Sequence, residues 1–230
     1  MFNSTVRRLA TLLGAAILLG LCAASLAGDR AIRIPDPATD APQAKTAEQT
    51  AVLAGGCFWG VEAVFRHING VISATSGYAG GSAGTANYPV VSTGATGHAE
   101  SVKVVFDPAK VSYGRLLQVF FSVAHDPTQL DRQGPDSGSQ YRSEIFYANG
   151  EQERIARTYI DQLTRAHAFP APIVTRLSPL TAFYPAEAYH RNYAERHPHD
   201  GYIVVNDLPK VEHLKNLFPE RYRAGGPVAQ

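Results

Sequence analysis

The chain has 230 residues with 21 basic and 20 acidic side chains, a net charge of +1. That length supports one domain with a real core, and the balanced charge offers nothing to nucleic acid or an anionic membrane surface.

The N-terminus reads as a targeting signal. Arg7 and Arg8 precede the apolar run "LATLLGAAILLGLCAASLA", and Ser25 and Ala27 occupy positions −3 and −1 of a cut before Gly28. The expected signal is 1–27, which places the mature protein in the periplasm. A retained anchor and a lipid on Cys22 compete with cleavage, though Leu21 is a poor residue to precede a lipid site. Removing 1–27 leaves 19 basic and 20 acidic residues and one cysteine, Cys57. An exported protein with a single cysteine forms no internal disulfide, so its thiol points to reactive chemistry.

Residues 28–48 are rich in Pro, Ala, Asp and Thr and read as a linker. "TAVLAGG" is a short apolar run stopped by glycines, a buried strand. "FWGVEAVFRHI" spaces Val61, Val64, Phe65 and Ile68 as a helix. "GVISATSGYAG" is a strand running into a Gly-rich turn, and "HAESVKVVF" a strand ended by Asp107-Pro108. "SYGRLLQVFFSVAH" is a helix that Ser112 can cap. "DPTQLDRQGPDSGSQ" is a loop by composition. A strand "YRSEIFYA", a helix "GEQERIARTYIDQLTRAH", a strand "APIVTRLSPL" and a short helix "PAEAYHRNYAERH" follow. Mixed strands and helices give a two-layer α+β or α/β domain over 49–210, with a C-terminal helix and a disordered tail in 211–230. Strand order does not follow from the pattern.

"AGGCFWGVE" places Cys57 where that first helix begins. Its sulfur would lie beside free helix-start N–H groups, which favour thiolate. Gly55 and Gly56 permit the sharp turn, and Gly60 leaves the first turn uncrowded. Trp59 lies off the apolar stripe and can wall a small pocket with Phe58. The plain alternative is an inert buried cysteine.

A thiolate attacking a polar bond needs an acid nearby. Strand parity puts Glu100 on the face of Val102, Val104 and Phe106, opposite Ser101 and Lys103. There desolvation would keep the carboxyl protonated; a frayed, solvated strand start is the equal alternative. Tyr78, Tyr88 and Tyr141 are possible donors, each more simply a packing residue. Asp136 reads as a turn acid. His98, His125, His190, His197 and His199 suit surface or helix-end roles, and "HPHD" lacks the spacing of a zinc site.

"GGCFWGVE", "SGYAGG", "TGHAESVKVVFDP", "RQGPDSGSQYRS" and "FYPAEAYHRNY", in this order, resemble peptide methionine sulfoxide reductase A from about Ala51 to Tyr193 and more weakly to Tyr222. The resemblance implies an α+β sandwich with a mixed sheet around a ferredoxin-like core. It implies reduction of methionine S-sulfoxide, free or in oxidised proteins, with no cofactor and no metal. Carried over, Cys57 is the nucleophile, Glu100 the acid assisted by Tyr88 and Tyr141, Phe58 and Trp59 hold the substrate methyl, and Asp136 lines the site. Many relatives carry a second cysteine that closes a disulfide; this chain ends "FPERYRAGGPVAQ" with none. The expected reductant is therefore a thioredoxin-like protein acting directly on a Cys57 sulfenic acid, and the expected state is a monomer. Two other readings compete: a cysteine hydrolase pairing Cys57 with a histidine and an acid such as Asp126, and a non-catalytic module binding through Phe58 and Trp59.

Overall fold

The computed structural model describes residues 31–42 and 48–225. The expected signal 1–27, Cys22 and the last five residues lie outside the described residues.

The apolar run found after the linker forms β1, Gln49–Gly55. Its Ala51, Val52, Leu53 and Ala54 are all buried, as a strand covered on both faces requires. Helix α1 follows at Phe58–Arg66, then β2 at Val71–Ala79, a short α2 at Tyr88–Val91 and β3 at Ala99–Phe106. Helix α3 spans Tyr113–Val119, with Ser112 accepting the Arg115 N–H as its cap, and widens into a π turn at Phe120–Ala124. A two-residue hairpin pairs β4, Arg132–Gln133, with β5, Asp136–Ser137. A 3₁₀ turn at Ser139–Tyr141 leads into β6, Ser143–Tyr147. The 16-residue α4, Gly150–Arg165, is capped by Asn149 and starts with Glu151 and Glu153, which suit the positive end of the helix. Strands β7, Arg176–Pro179, and β8, Phe183–Pro185, precede α5, Tyr193–Arg196, a π turn at Ile203–Asp207, and α6, Leu208–Leu217.

Six strands form one mixed sheet in the order β7-β6-β1-β3-β2-β8, antiparallel except for β6 with β7. The main core lies on one side, where Leu53, Val102, Val104 and Phe106 meet Val61, Phe65, Leu116, Phe120 and Leu163. A smaller cluster of Val52, Ala54, Ala79, Ala99 and Phe146 covers the other side. Each large apolar side chain so enclosed contributes roughly 1.5–3 kcal/mol. The fold is α+β.

Four details differ from the sequence expectations. The stretch expected as a loop over 126–140 holds the β4–β5 hairpin. The helix expected over 185–197 shrinks to α5, because Asn192 is left-handed (φ 55°) and breaks the turn before it. The boundary expected at 210 falls inside α6, whose Leu214 joins the core. Residues 31–42, inside the expected linker, lie along the domain. Ile34 is 3% exposed, its carbonyl accepts the Gln118 amide at 2.8 Å, and Asp40 accepts the Ser112 hydroxyl and the Gly114 N–H at the start of α3.

Candidate active site

Cys57 is the N-cap of α1 and a free thiol. Gly56 turns the chain into it at φ +88°; a Cβ there would stand 2.5 Å from Gln133. Gln133 in turn exchanges hydrogen bonds with the Asp126 backbone, both at 3.0 Å, so the β4–β5 hairpin is locked over this turn.

Cys57 is 8% exposed. The thiolate expected from the helix start is not favoured in the resting site. Burial pushes the thiol well above its ordinary value, and the Glu100 and Asp207 carboxyls add to the effect; the Trp59 amide and Lys210 pull the other way. Desolvation and two nearby acids outweigh the helix-start amides.

Glu100 is 2% exposed, on the apolar face that parity assigns it. Its Oε2 accepts the Phe58 N–H at 3.0 Å. Burial raises its carboxyl to about 8, against the lowering by that hydrogen bond, with Asp136 and Asp207 adding to the rise. A frayed, solvated Glu100 is thereby ruled out.

Tyr88 opens α2, where its N–H donates to Glu187 at 2.9 Å. Tyr141 ends the 3₁₀ turn. Burial raises both hydroxyls, and each feels Glu100 and Cys57. Both remain proton-bearing donors at any physiological pH. Asp136 on β5 accepts a very short hydrogen bond from the Tyr202 hydroxyl. Phe58, Trp59, Tyr88, Tyr141 and Asp136 thus gather with Cys57 and Glu100 at one end of the sheet.

Trp59 is built into an aromatic cluster rather than standing alone. It stacks on Tyr193 at 3.9 Å, meets Tyr202 edge-on at 6.0 Å, and donates its indole N–H to His190 Nδ1 at 3.2 Å. His190 also lies 5.3 Å from Phe58 and 4.3 Å from Tyr88, ring to ring. Glu62 fixes the far side of this cluster. Its Oε2 accepts from the Ser76 hydroxyl at 2.6 Å and the Asn192 N–H at 3.0 Å, which places Tyr193 over Trp59. Burial raises the Glu62 carboxyl to about 7.

Of the histidines expected at the surface or at helix ends, His98 and His190 are buried instead, His125 is buried but ends the π turn as its C-cap, and His197 and His199 are exposed. His125 is occupied by the Phe120 carbonyl at 3.1 Å and the Ser143 hydroxyl at 2.7 Å, and burial lowers it to about 4. Asp126 is held by Thr128 and Gln129. No Cys–His–Asp relay exists among the described residues, which disfavours the hydrolase reading. No group of three metal-ligating side chains occurs among them either.

Sequence reasoning missed Tyr202, Asp207 and Lys210, and gave His190 only a surface or helix-end role. "GYIVVNDLPK" carried the first three, but nothing in that stretch says which helix it will meet.

The family "Peptide methionine sulfoxide reductase" matches residues 49–222. A peptide methionine sulfoxide reductase MsrA 2 of Mesorhizobium japonicum is 58% identical over 180 residues, covering 78% of this chain and 92% of the relative. One from Synechocystis sp. is 50% identical, covering 83% and 91%. Among solved structures, Mxr1 of Saccharomyces cerevisiae in reduced form matches with a TM-score of 0.60 at 30% identity, over 70% of this chain and 90% of that one. Methionine sulfoxide reductase A of Corynebacterium diphtheriae matches with a TM-score of 0.57 at 32% identity, over 74% and 89%. A buried free thiol, a buried acid on the next amide and an aromatic wall thus come together in a chain that belongs to the peptide methionine sulfoxide reductase A family, the oxidoreductases that reduce methionine sulfoxide.

Proposed function

We propose that Cys57 takes the oxygen of a methionine S-sulfoxide and that Glu100 supplies the proton this requires. The observation that carries the reading is the Glu100–Phe58 hydrogen bond, which ties a buried acid to the residue after the thiol. Below about pH 8 that acid keeps its proton. The substrate's methyl-sulfur end lies against Phe58 and Trp59, with Tyr88 and Tyr141 donating to the sulfoxide oxygen and Asp136 lining the cleft. The Cys57 sulfur attacks the sulfoxide sulfur as Glu100 protonates the oxygen, and the thiol's proton restores the carboxyl. The attack forms a bond between the two sulfurs; that bond and the substrate S–O bond then break as an S–O bond forms on Cys57. Methionine sulfur gains two electrons, Cys57 loses two, and the products are methionine and a Cys57 sulfenic acid.

Cys57 is the one cysteine among the described residues. A first external thiol displaces water from the sulfenic acid to give a mixed disulfide, and a second releases Cys57 as the thiol. A thioredoxin-like dithiol supplies both. The N-terminal pattern supports export, so the substrates are oxidised periplasmic proteins together with free methionine sulfoxide.

Dithiothreitol-driven reduction of methionine S-sulfoxide by wild type and Cys57→Ser tests this. Reductant-dependent turnover lost in the mutant is expected; turnover retained by Cys57→Ser overturns it. Sequencing the N-terminus of mature protein is expected to start at Gly28.

A further inference from the structure

Two charged side chains that this scheme leaves unused lie buried against α1. Asp207 ends the π turn and is fully buried; Lys210, in the first turn of α6, is 5% exposed. Lys210 Nζ stands 3.6 Å from Asp207 Oδ1. Neither carboxylate oxygen of Asp207 has a hydrogen-bond partner. A buried ion pair offsets its desolvation only with good geometry and further hydrogen bonds. This pair has neither, so it is a poor stabilising element, and its position asks for another role.

That position is given by Gly60. It is the third residue of α1, whose N-cap is Cys57. A Cβ on Gly60 would fall 2.1 Å from Asp207 Oδ1 and 3.1 Å from Lys210 Nζ. The pair is therefore pressed onto the first turn of α1, and Gly60 is the gap that admits it. Of the groups acting on the thiol, the carboxyls of Glu100 from β3 and of Asp207 oppose its ionisation and Lys210 favours it. Tyr88, Tyr141 and Tyr202 face the same site from α2, the 3₁₀ turn and the residue before the π turn. Asp136 acts on Glu100 and Asp207, Asp200 acts on Asp207, and Lys210 also faces His125.

A sulfur attacking a sulfoxide must shed its proton and carry negative charge in a dry cleft crowded with acids. We propose that Lys210, anchored by Asp207 against Gly60, is a positioning residue that supports negative charge on the Cys57 sulfur during the attack. A lysine ammonium serves as a compact point charge and needs no fixed fork of hydrogen bonds to do so. This inference rests on Cys57 being the reacting thiol.

The test is the pH dependence of Cys57 alkylation by iodoacetamide in the full chain, read by mass spectrometry at the peptide carrying Cys57, so that Cys22 does not contribute. Lys210→Met is expected to raise the midpoint by about one pH unit, and Lys210→Arg to return it toward wild type. Asp207→Asn removes a negative charge while leaving Lys210, so it is expected to move the midpoint down. Turnover by Lys210→Met is expected to fall about tenfold at neutral pH. Opposite shifts from the two partners are what a charge effect produces and a packing defect does not. An unmoved midpoint in a Lys210→Met protein with a normal melting transition overturns the proposal, as do shifts of one sign from both partners. If Lys210→Met does not fold, Lys210→Gln is read in its place, and an unmoved midpoint in that variant overturns the proposal. Alkylation needs no turnover: loss of the reductase reading would appear as activity surviving in Cys57→Ser, with the ionisation shifts still measurable.

Discussion

Glu100 accepts the backbone N–H of Phe58 at 3.0 Å, so the acid is fixed to the amide of the residue that follows the thiol. Any motion of the α1 start carries both groups together. The carboxyl ionises at about 8, driven up by burial. It bears its proton throughout the neutral range, so turnover is expected to be flat below about pH 8 and to fall above it. Glu100→Gln keeps an acceptor for Phe58 but has no acidic proton. It is expected to lose about 10²–10⁴-fold at pH 7, with a smaller deficit at acid pH, where solvent protons substitute. A mutant as fast as wild type at pH 7 would remove Glu100 from the reaction.

The same shift has a stability consequence. The folded value lies above the roughly 4.3 of an unfolded glutamate, so the folded state holds this proton more tightly. Its contribution is fully present below the unfolded value and is lost as pH rises to about 8. Glu100→Gln is expected to gain in melting temperature relative to wild type between pH 5 and pH 9. A constant difference across that window would mean the carboxyl is not buried as described.

Among the described residues Cys57 is the one thiol, so they offer its oxidised form no resolving partner. After turnover on methionine S-sulfoxide without reductant, dimedone is expected to add once, at Cys57. Intact mass showing a stoichiometric intramolecular disulfide instead would contradict direct reduction by an external thiol.

Trp59 is gripped by Tyr193 on its face and by His190 at its indole N–H. Trp59→Phe keeps an aromatic wall but drops a hydrogen bond worth about 1 kcal/mol. The wall then loosens, and KM is expected to rise about fivefold with kcat little changed. Steady-state kinetics on a methionine sulfoxide peptide measures the split; an unaltered KM would place the substrate elsewhere.

Ile34 lies far from the chemistry in sequence yet sits in the main core, while Tyr159 donates its hydroxyl to the Pro35 carbonyl at 2.6 Å. Ile34→Ala is expected to lower stability by about 2–4 kcal/mol and to leave kcat/KM intact. Urea denaturation followed by assay of the folded protein checks both. A change below about 0.5 kcal/mol would mean the strap is dispensable.

Much of the site was legible in the residues because its signals are local. Glycines before Cys57 announce a strand-to-helix turn, and alternation along β3 assigns Glu100 its face before any partner is known. The apolar stripe of α1 and the cap Ser112 are equally local, since backbone geometry imposes periods of 3.6 and 2.0 on whichever face is buried. Strand order, the Asn192 break and the packing of residues 31–42 had no such signature. The linker composition of 28–48 lacks periodicity because a strap without helix or strand buries single side chains such as Ile34, not a face.

The placement of Cys57 at a helix start and of Glu100 on the apolar face of β3 was thus legible in the sequence itself, through spacing and parity. What tertiary structure alone decided is their electrical setting. Burial and carboxyls from two separate segments raise the thiol, and a lysine 153 residues further along the chain arrives to oppose them. Coulombic coupling and desolvation depend on distance and dielectric in space, and neither quantity is encoded in the order of residues near Cys57.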